Sequence, residues 1–160
     1  MNDRKTTQPM EESGGERAEN RAATVLHVDD DPNDTALLQA ACQRAQVDFQ
    51  LLNVNDGEEA IAYLSAAEDR SVPMPVLVLL DLKMPRATGV EILRWIRQHP
   101  RLNRLPVIVL SGSELQDDIR RAYSEGANSY LVKPLGFDAL VDMIRSIGQV
   151  WLKSKNPLSD

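Results

Sequence analysis

The stretch Val76-Leu77-Val78-Leu79-Leu80-Asp81-Leu82-Lys83-Met84-Pro85 decides the fold class of this 160-residue chain. Its first five residues are all apolar, which is typical of a strand that helices cover on both faces. Residues 107–110, Val-Ile-Val-Leu, repeat the pattern, and such strands occur mainly in parallel sheets. Each run ends in a polar residue, Asp81 or Ser111, so the sequence predicts polar side chains at the carboxyl ends of two neighbouring strands.

Three further short runs, rich in β-branched residues or leucine, are predicted as strands, and five helical patterns alternate with the strands. The additional strands are predicted over 24–28, 49–54 and 129–132. The helices are predicted, from apolar residues at helical spacing, over 32–46, 57–67, 88–99, 114–125 and 136–152. Because parallel crossovers are right-handed, this alternation predicts an α/β fold with a doubly wound parallel sheet.

Length, charge and cysteine content narrow the class of protein. A chain of 160 residues indicates one domain, and 18 basic against 24 acidic residues disfavour a nucleic-acid partner or an anionic membrane. The single cysteine, Cys42, excludes an intramolecular disulfide. No apolar run reaches the roughly 18 residues of a membrane span and the N-terminus lacks an apolar signal segment, so we expect a cytoplasmic protein.

The sequence predicts one domain between two tails. Residues 1–23 contain no aromatic residue and no valine, isoleucine or leucine, which predicts a disordered tail. The domain is predicted over 24–152, and 153–160 as a C-terminal tail in which Pro157 stops the helix. The tails are neutral overall, so the whole charge of −6 belongs to residues 24–152, with 18 acidic and 12 basic residues.

Polar side chains follow four of the five predicted strands. They are Asp29 and Asp30, Asp81, Ser111, and Lys133. Because the carboxyl ends of parallel strands share one edge of the sheet, we expect these groups to gather there. Carboxylates in one cleft repel one another unless a cation lies between them, and oxygen ligands of this kind suit Mg²⁺. The set predicts phosphoryl transfer with a carboxylate as the nucleophile.

On its motifs the chain resembles the receiver domains of two-component response regulators, over about residues 24–152. The motifs are Val28-Asp29-Asp30, Leu80-Asp81-Leu82-Lys83-Met84-Pro85, Val109-Leu110-Ser111-Gly112 and Tyr130-Leu131-Val132-Lys133-Pro134. The resemblance implies a flavodoxin-like sheet in the strand order 2-1-3-4-5 with five helices. It also implies a phosphoprotein of phosphorelay signal transduction, whose partner is a sensor histidine kinase.

The resemblance implies a phosphoacceptor and a metal site. Asp81 would accept the phosphoryl group. Asp29, Asp30 and Asp81, with the backbone carbonyl of Lys83, would hold Mg²⁺. Such a domain catalyses its own phosphorylation and a slow dephosphorylation, but it is not an enzyme in the ordinary sense.

The resemblance also implies groups that respond to the phosphoryl group. Ser111 and Lys133 would bond it, and Ser111 and Tyr130 would form the switch. Gly112 replaces the larger residue common in the family beside the phosphate, which leaves more room there for water or a partner. A phosphoryl group adds about two negative charges, and such a change biases an element that has two packed arrangements.

The run 29–34, Pro75 and the segment 99–106 resemble most closely the small response regulators that serve bacterial and cyanobacterial phytochromes. This resemblance implies a phytochrome-type kinase. No DNA-binding output domain follows Trp151, so we expect output through protein contacts or relay to a histidine phosphotransfer protein.

The last predicted helix, over 136–152, carries an apolar stripe wider than one sheet face needs. The stripe predicts a homodimer through this helix, the strand 129–132 and the helix 114–125. The alternative is a wide core stripe with scattered surface apolar residues.

Two other functions remain open on the same fold. One is a phosphorylation-independent interaction scaffold, which the complete set of Asp81, Ser111, Lys133 and the acidic pair disfavours. The other is a flavodoxin-like flavin protein, but the loop at 29–32, Asp-Asp-Asp-Pro, would repel the flavin phosphate.

Isolated polar residues are expected to have structural roles. We expect His27 to be packed in the core and to point away from Asp29. Asp31 and Asp34 are expected as charges at a helix entry, where acidic residues are favoured. Cys42 is expected to fill the core.

Overall fold

The computed structural model of the chain describes residues 22–84 and 88–153, the last without its side chain. Most of the predicted N-terminal tail (1–21), residues 154–160 with Pro157, and Pro85 of the motif after the third strand lie outside the described residues. The predicted disorder of the tails and the domain bounds at 24 and 152 therefore stay predictions.

Within the described residues five strands form one parallel sheet. They are β1 (Thr24–Val28), β2 (Gln50–Val54), β3 (Leu77–Leu80), β4 (Val107–Ser111) and β5 (Ser129–Val132). The order across the sheet is β2-β1-β3-β4-β5, and each adjacent pair is parallel. The predicted fold class and strand order are confirmed.

The described helices alternate with the strands. They are α1 (Pro32–Ala45), α2 (Gly57–Glu68), α3 (Gly89–Gln98), α4 (Gln116–Ser124) and α5 (Phe137–Ile147), and a π-helical segment follows at Gly148–Lys153. Of the predicted helices over 114–125 and 136–152, the first was too long, and the second is present as α5 together with the π-helical segment that follows it. The first begins at Gln116 because the hydroxyl of Ser113 accepts a hydrogen bond from the Leu115 amide and ends the preceding turn. No described helix is long and apolar enough to cross a bilayer.

Two apolar clusters cover the two faces of the sheet. One packs residues such as Leu80 against Ile92 of α3, and the other packs Ile108 against Ile144 of α5. Every residue of β3 and all five of β4 are buried, as the unbroken apolar runs predicted. Cys42 lies in the second cluster, and burial raises the pKa of its thiol to about 11. The single described cysteine therefore fills the core.

Helix α5 uses most of its apolar stripe within the chain. Val141, Ile144 and Ile147 are buried, and Leu140 and Met143 pack at the edge of the same cluster. Residues of α1 lie in this cluster too, so α5 contacts α1 as well as the sheet. The contact with α1 accounts for much of the excess width of the stripe.

Arg97 of α3 makes hydrogen bonds to the segments that lead into β4 and β5. Its guanidinium donates to the carbonyl oxygens of Gly126 and Leu105, at 2.8 and 2.7 Å, and to Oδ1 of Asn128 at 2.7 Å. The same Oδ1 accepts the amide of Val107. Burial lowers the pKa of Arg97, whose described partners are neutral acceptors. The segments that lead into both strands are thus held to one half-buried cation.

Candidate functional site

Three carboxylates meet at the carboxyl end of the sheet and form what we call the acidic pocket. Oxygen atoms of Asp29, Asp30 and Asp81 all lie within 4.8 Å of one another. Asp29 and Asp81 are buried and Asp30 is exposed. They are brought together because β1 and β3, which they follow, are neighbours in the sheet. The predicted gathering of these carboxylates is confirmed.

Asp29 is the most strongly held of the three carboxylates. Its Oδ1 accepts the amide of Asp31 at 2.9 Å, and its Oδ2 accepts the ammonium of Lys133 at 3.1 Å. Burial acts to raise the pKa of Asp29, but the neighbouring His27, the Asp31 amide and the charge of Lys133 outweigh it and lower the pKa from 3.8 to about 2. Asp29 therefore stays ionised without a bound metal.

The expectation that His27 points away from Asp29 was wrong. His27 is buried, and its Nε2 lies 3.6 Å from Oδ2 of Asp29. Residues two positions apart in an extended segment face the same side, which is the signal that the sequence contained. Asn53 of β2 donates its side-chain amide to the backbone carbonyls of His27 and Asp29. These bonds fix the end of β1 against β2.

Asp81 is also buried, but fewer neighbouring groups stabilise its negative charge than stabilise that of Asp29. The Lys83 amide donates to its Oδ1 at 3.1 Å, while the ammonium of Lys133 lies 3.7 Å from its Oδ2, beyond hydrogen-bond distance. Burial raises the pKa of Asp81, and the charges of Asp29 and Asp30 add to this against the opposing effects of Lys83 and Lys133. The site thus holds one buried carboxylate whose negative charge a cation would stabilise.

Gly89 packs directly against the backbone of Asp81, a contact that was not predicted from the sequence. A Cβ atom at Gly89 would lie 2.2 Å from the carbonyl oxygen of Asp81, so no larger residue fits without moving the end of β3. The Gly89 amide also donates to the carbonyl of Leu82 at 3.3 Å. A glycine at the start of a helix, eight positions after a functional residue, was the available signal.

Lys133 reaches the pocket from the end of β5. Its own backbone amide donates to the carbonyl of Ser111 at 2.8 Å, which continues the pairing of β5 with β4. Its ammonium donates to Oδ2 of Asp34 at 2.7 Å and to Oδ2 of Asp29 at 3.1 Å. Burial acts to lower the pKa of Lys133, but the bond to Asp34 and the charges of Asp81 and Asp29 raise it above its usual value.

The interpretation of Asp34 as a helix-entry charge was incomplete. Asp34 does lie in the first turn of α1, and Asp31 does cap that helix by accepting the Asn33 amide at 2.8 Å. Asp34, however, also makes the shortest ion pair that Lys133 has. A contact across 99 positions of sequence leaves no local pattern, so helix periodicity alone could not predict it.

Ser111 and Tyr130 are linked through Ser113. Ser111 is fully buried, and its hydroxyl oxygen accepts the Ser113 amide at 3.2 Å. The hydroxyl of Tyr130 donates to the carbonyl oxygen of Ser113 at 2.8 Å. Ser113 also donates its own hydroxyl to Asp118 of α4. The two predicted switch residues therefore contact the same loop, residues 112–115, which leads into α4.

Gly112 leaves open space beside the pocket. A Cβ atom placed there would have no neighbour within 4 Å. This agrees with the expectation that the small residue leaves room there, and it means that packing does not require a glycine.

The donor set of the acidic pocket fits a hard divalent cation. Three carboxylates offer oxygen ligands that lie within 4.8 Å of one another, and Mg²⁺ prefers one or two carboxylates together with water and phosphate oxygens. Of the predicted ligands, Asp29, Asp30 and Asp81 are brought together. The chain segment of Lys83 also lies at the pocket through the bond from its amide to Asp81.

This geometry coincides with a family match. A sequence model of the response regulator receiver domain matches residues 25–145. The chain belongs to the response regulator receiver family. It is also 38% identical over 128 residues to the probable methanogenesis regulatory protein FilR2 of Methanothrix harundinacea, covering 80% of this chain and 83% of that protein.

Solved structures of phytochrome-associated response regulators are similar to this receiver. The Mn²⁺-bound form of response regulator Rcp1, a protein of Synechocystis, has a TM-score of 0.72 at 35% identity and covers 82% of this chain and 96% of that one. The phosphorylated cyanobacterial phytochrome response regulator RcpA has a TM-score of 0.75 at 35% identity and covers 83% and 96%. The resemblance to phytochrome response regulators that the sequence indicated is confirmed.

Proposed function

We propose that this receiver accepts a phosphoryl group on Asp81 from a histidine kinase, in a Mg²⁺-dependent step, and signals through protein contacts. The observation that carries the proposal is a buried carboxylate of raised pKa beside Asp29, Asp30 and the ammonium of Lys133. A carboxylate in this setting can act as a nucleophile, because its negative charge is incompletely compensated.

The transfer forms one bond and breaks one. An oxygen of Asp81 attacks phosphorus, and the bond from phosphorus to the donor histidine nitrogen breaks, with the electron pair staying on the imidazole. The product is an acyl phosphate, which water hydrolyses back to the carboxylate and inorganic phosphate. Mg²⁺ bound by Asp29, Asp30, Asp81 and the Lys83 carbonyl would offset charge on the transferred oxygens. Lys133 supplies the second positive charge at Asp81.

Ser111 and Tyr130 would convert the phosphoryl group into a change of shape. The Ser111 hydroxyl oxygen accepts a hydrogen bond from the Ser113 amide. The hydroxyl hydrogen of Ser111 therefore remains available for a hydrogen bond to a phosphoryl oxygen. A shift of Ser111 would reach Ser113, and through it Tyr130 and Asp118 of α4. Among the described helices, α4 has only one buried residue, Ala122, which suits an element that changes position.

The relatives support the metal and the pathway. Rcp1 is known with Mn²⁺ and RcpA in a phosphorylated form, each about a third identical to this chain. We take the kinase to be of the phytochrome type, because RcpA is a phytochrome response regulator. A histidine phosphotransfer protein would be the onward acceptor if the signal passes through a relay.

Labelling with a small phosphodonor tests the proposal. The chain is incubated with acetyl phosphate and Mg²⁺, and phosphorylation is measured by mass spectrometry of the intact protein. We expect label on the wild type, none on Asp81→Asn, and none when EDTA removes the metal. Asp117→Asn, a fully exposed aspartate of α4, should be labelled like the wild type. Equal labelling of the wild type and Asp81→Asn would refute the role of Asp81, and an unlabelled wild type would favour the phosphorylation-independent scaffold.

We also propose a homodimer through α4, β5 and α5. The support is a group of exposed apolar side chains on or beside these elements, namely Leu115, Tyr123, Val132, Leu135 and Phe137. Sedimentation equilibrium of the chain with and without acetyl phosphate tests it. A monomer under both conditions would refute the dimer, and replacement of Leu135 by a charged residue should weaken any dimer found.

A further inference from the structure

We propose that Asp34 is a positioning residue for phosphotransfer, which holds the ammonium of Lys133 so that its remaining N–H faces Asp81. This role rests on the proposed function of Asp81 as phosphoacceptor. It assigns to the first turn of α1 a part in the chemistry that takes place at the ends of β1, β3 and β5.

The contacts of Lys133 define a tripod. An ammonium has three N–H donors, and three carboxylates surround this one at 2.7 Å (Asp34), 3.1 Å (Asp29) and 3.7 Å (Asp81). The first two accept full hydrogen bonds and the third does not. Two N–H groups are thus committed to Asp34 and Asp29, and the third is left for the oxygens that arrive at Asp81.

Asp29 alone cannot hold the lysine during the reaction. Asp29 would also be a ligand of Mg²⁺, and a metal bound to its oxygens withdraws the electron density on which its bond to Lys133 depends. Asp34 lies outside the acidic pocket and is free of that competition. It is therefore the carboxylate that can keep the same bond to Lys133 before and after the metal binds.

Without Asp34, fewer groups would hold the ammonium of Lys133 in place. A cavity of about 50 Å³ beside it is lined by Asp29, Asp34, His27 and mainly apolar residues, so Asp29 is the other carboxylate there. Lysine has four rotatable side-chain bonds and this side chain is 21% exposed, so without Asp34 the ammonium can turn toward solvent. Asp34 prevents this with a charge-assisted bond, which is about twice as strong as a neutral one.

The position of Lys133 affects the rate of phosphoryl transfer to Asp81. When acetyl phosphate is the donor, an oxygen of Asp81 bonds to phosphorus, and the bond from phosphorus to the acetate oxygen breaks with its electron pair. The phosphoryl oxygens carry negative charge throughout, and Lys133 stabilises that charge only from the correct position. Asp34 is not one of the three carboxylates of the acidic pocket and bonds Lys133, so it acts through the lysine.

The experiment compares Asp34→Asn and Asp34→Ala with Asp117→Asn in the full chain. Asp117 is also an aspartate in the first turn of a helix, but it is 96% exposed and is not among the carboxylates that contact Lys133, so it matches the change of charge. With acetyl phosphate at saturating Mg²⁺, we expect labelling about threefold slower for the asparagine variant and about tenfold slower for the alanine variant. The order follows because asparagine keeps a neutral acceptor for Lys133 and alanine keeps none.

A second readout follows the lysine directly. The chain has five lysines, so spectra of protein labelled with ¹³C at the lysine ε position are simple, and the resonance of Lys133 is identified by its loss in Lys133→Arg. We expect this resonance to move toward the shift of an exposed lysine in both Asp34 variants and to stay in place in Asp117→Asn. A change confined to helix stability would leave it unmoved.

The outcomes separate this inference from the proposed function. Normal labelling of the wild type together with Asp34→Ala rates equal to or faster than those of Asp117→Asn would overturn the role of Asp34 alone. An unmoved Lys133 resonance in Asp34→Ala would also overturn it. No label on Asp81 of the wild type would overturn the proposed function and this role with it.

Discussion

Replacing Asp81 by asparagine should make the metal-free protein more stable, although it removes a functional group. The side chain is 8% exposed, and it has the Lys83 amide as its hydrogen-bond donor, while Lys133 stays at 3.7 Å. Asparagine keeps an oxygen for the Lys83 amide and removes a buried charge that Asp29 and Asp30 repel. The net cost of such a poorly compensated polar group is about 1 kcal/mol, and we expect the free energy of unfolding to rise by about that amount.

The dependence on pH follows from the direction of the pKa shift. Because the pKa of Asp81 is raised in the fold, the folded wild type binds more protons than the unfolded chain in this range. Its stability relative to Asp81→Asn therefore falls as pH rises above about 4, the ordinary pKa of an aspartate. Below that pH the group is protonated in both states, and the two proteins should differ little.

Magnesium should reverse the order of stability. A metal at 100 times its dissociation constant stabilises the fold by about 2.7 kcal/mol, and an affinity about 30-fold weaker leaves roughly 0.9 kcal/mol of that gain. The loss of about 1.8 kcal/mol exceeds the 1 kcal/mol gained without metal, so the wild type becomes the more stable protein.

Urea unfolding in EDTA and in excess Mg²⁺ measures both differences. Asp117→Asn is the matched control, because it removes an aspartate charge that lies almost fully in solvent. The wild type remaining more stable than Asp81→Asn in EDTA, or the same order of stability in both buffers, would refute this account of the pocket.

Two further substitutions test the parts that support the site. Gly89→Ala should lower the free energy of unfolding by about 2 kcal/mol, because its Cβ would meet backbone atoms of Asp81 and Leu82 at 2.2 and 2.6 Å. Gly112→Ala, whose Cβ would meet nothing within 4 Å, should change the urea midpoint little, and equal losses for both alanines would contradict the contact. Tyr130→Phe should cost about 1 kcal/mol and speed hydrogen exchange at the amides of 113–115, because it removes the bond to the Ser113 carbonyl. Tyr63→Phe removes a comparable bond to the carbonyl of Pro73, and it should cost as much without changing exchange there.

The central strands β3 and β4 were predictable because their signal is local and unbroken, whereas the order of the strands across the sheet was implied by the resemblance to receivers. Residues 77–80 and 107–110 are buried at every position, and no half-exposed strand has that composition. The carboxylates of the acidic pocket followed from the same reasoning, since each directly ends a strand. The resemblance to receivers added the roles of these residues, which strand positions alone do not give.

What the sequence did not predict are contacts that cross the sheet or depend on backbone proximity. Asp34 has the expected place in a helix, and nothing nearby in sequence indicates that it meets Lys133. His27 was assigned the wrong direction because the rule that residues two positions apart in an extended segment face the same side was not applied. Gly89 is required by the carbonyl of Asp81, a group that no side-chain pattern reports. The ends of helices were the least accurate, because single bonds such as that from Leu115 to Ser113 decide them.

The half-buried guanidinium of Arg97 bears on how a change at Ser111 would be transmitted. It joins the starts of β4 and β5 to α3, so these strands cannot slide past one another at that end. If phosphorylation displaces Ser111 as we propose, the starts of the strands cannot shift to relieve the displacement, and it passes to the loop 112–115 that carries Ser113. We therefore expect α4, which follows this loop and has one buried residue, to change position more readily than the sheet. Without the bonds of Arg97, the strands would take up part of the displacement, and the response at α4 would be smaller.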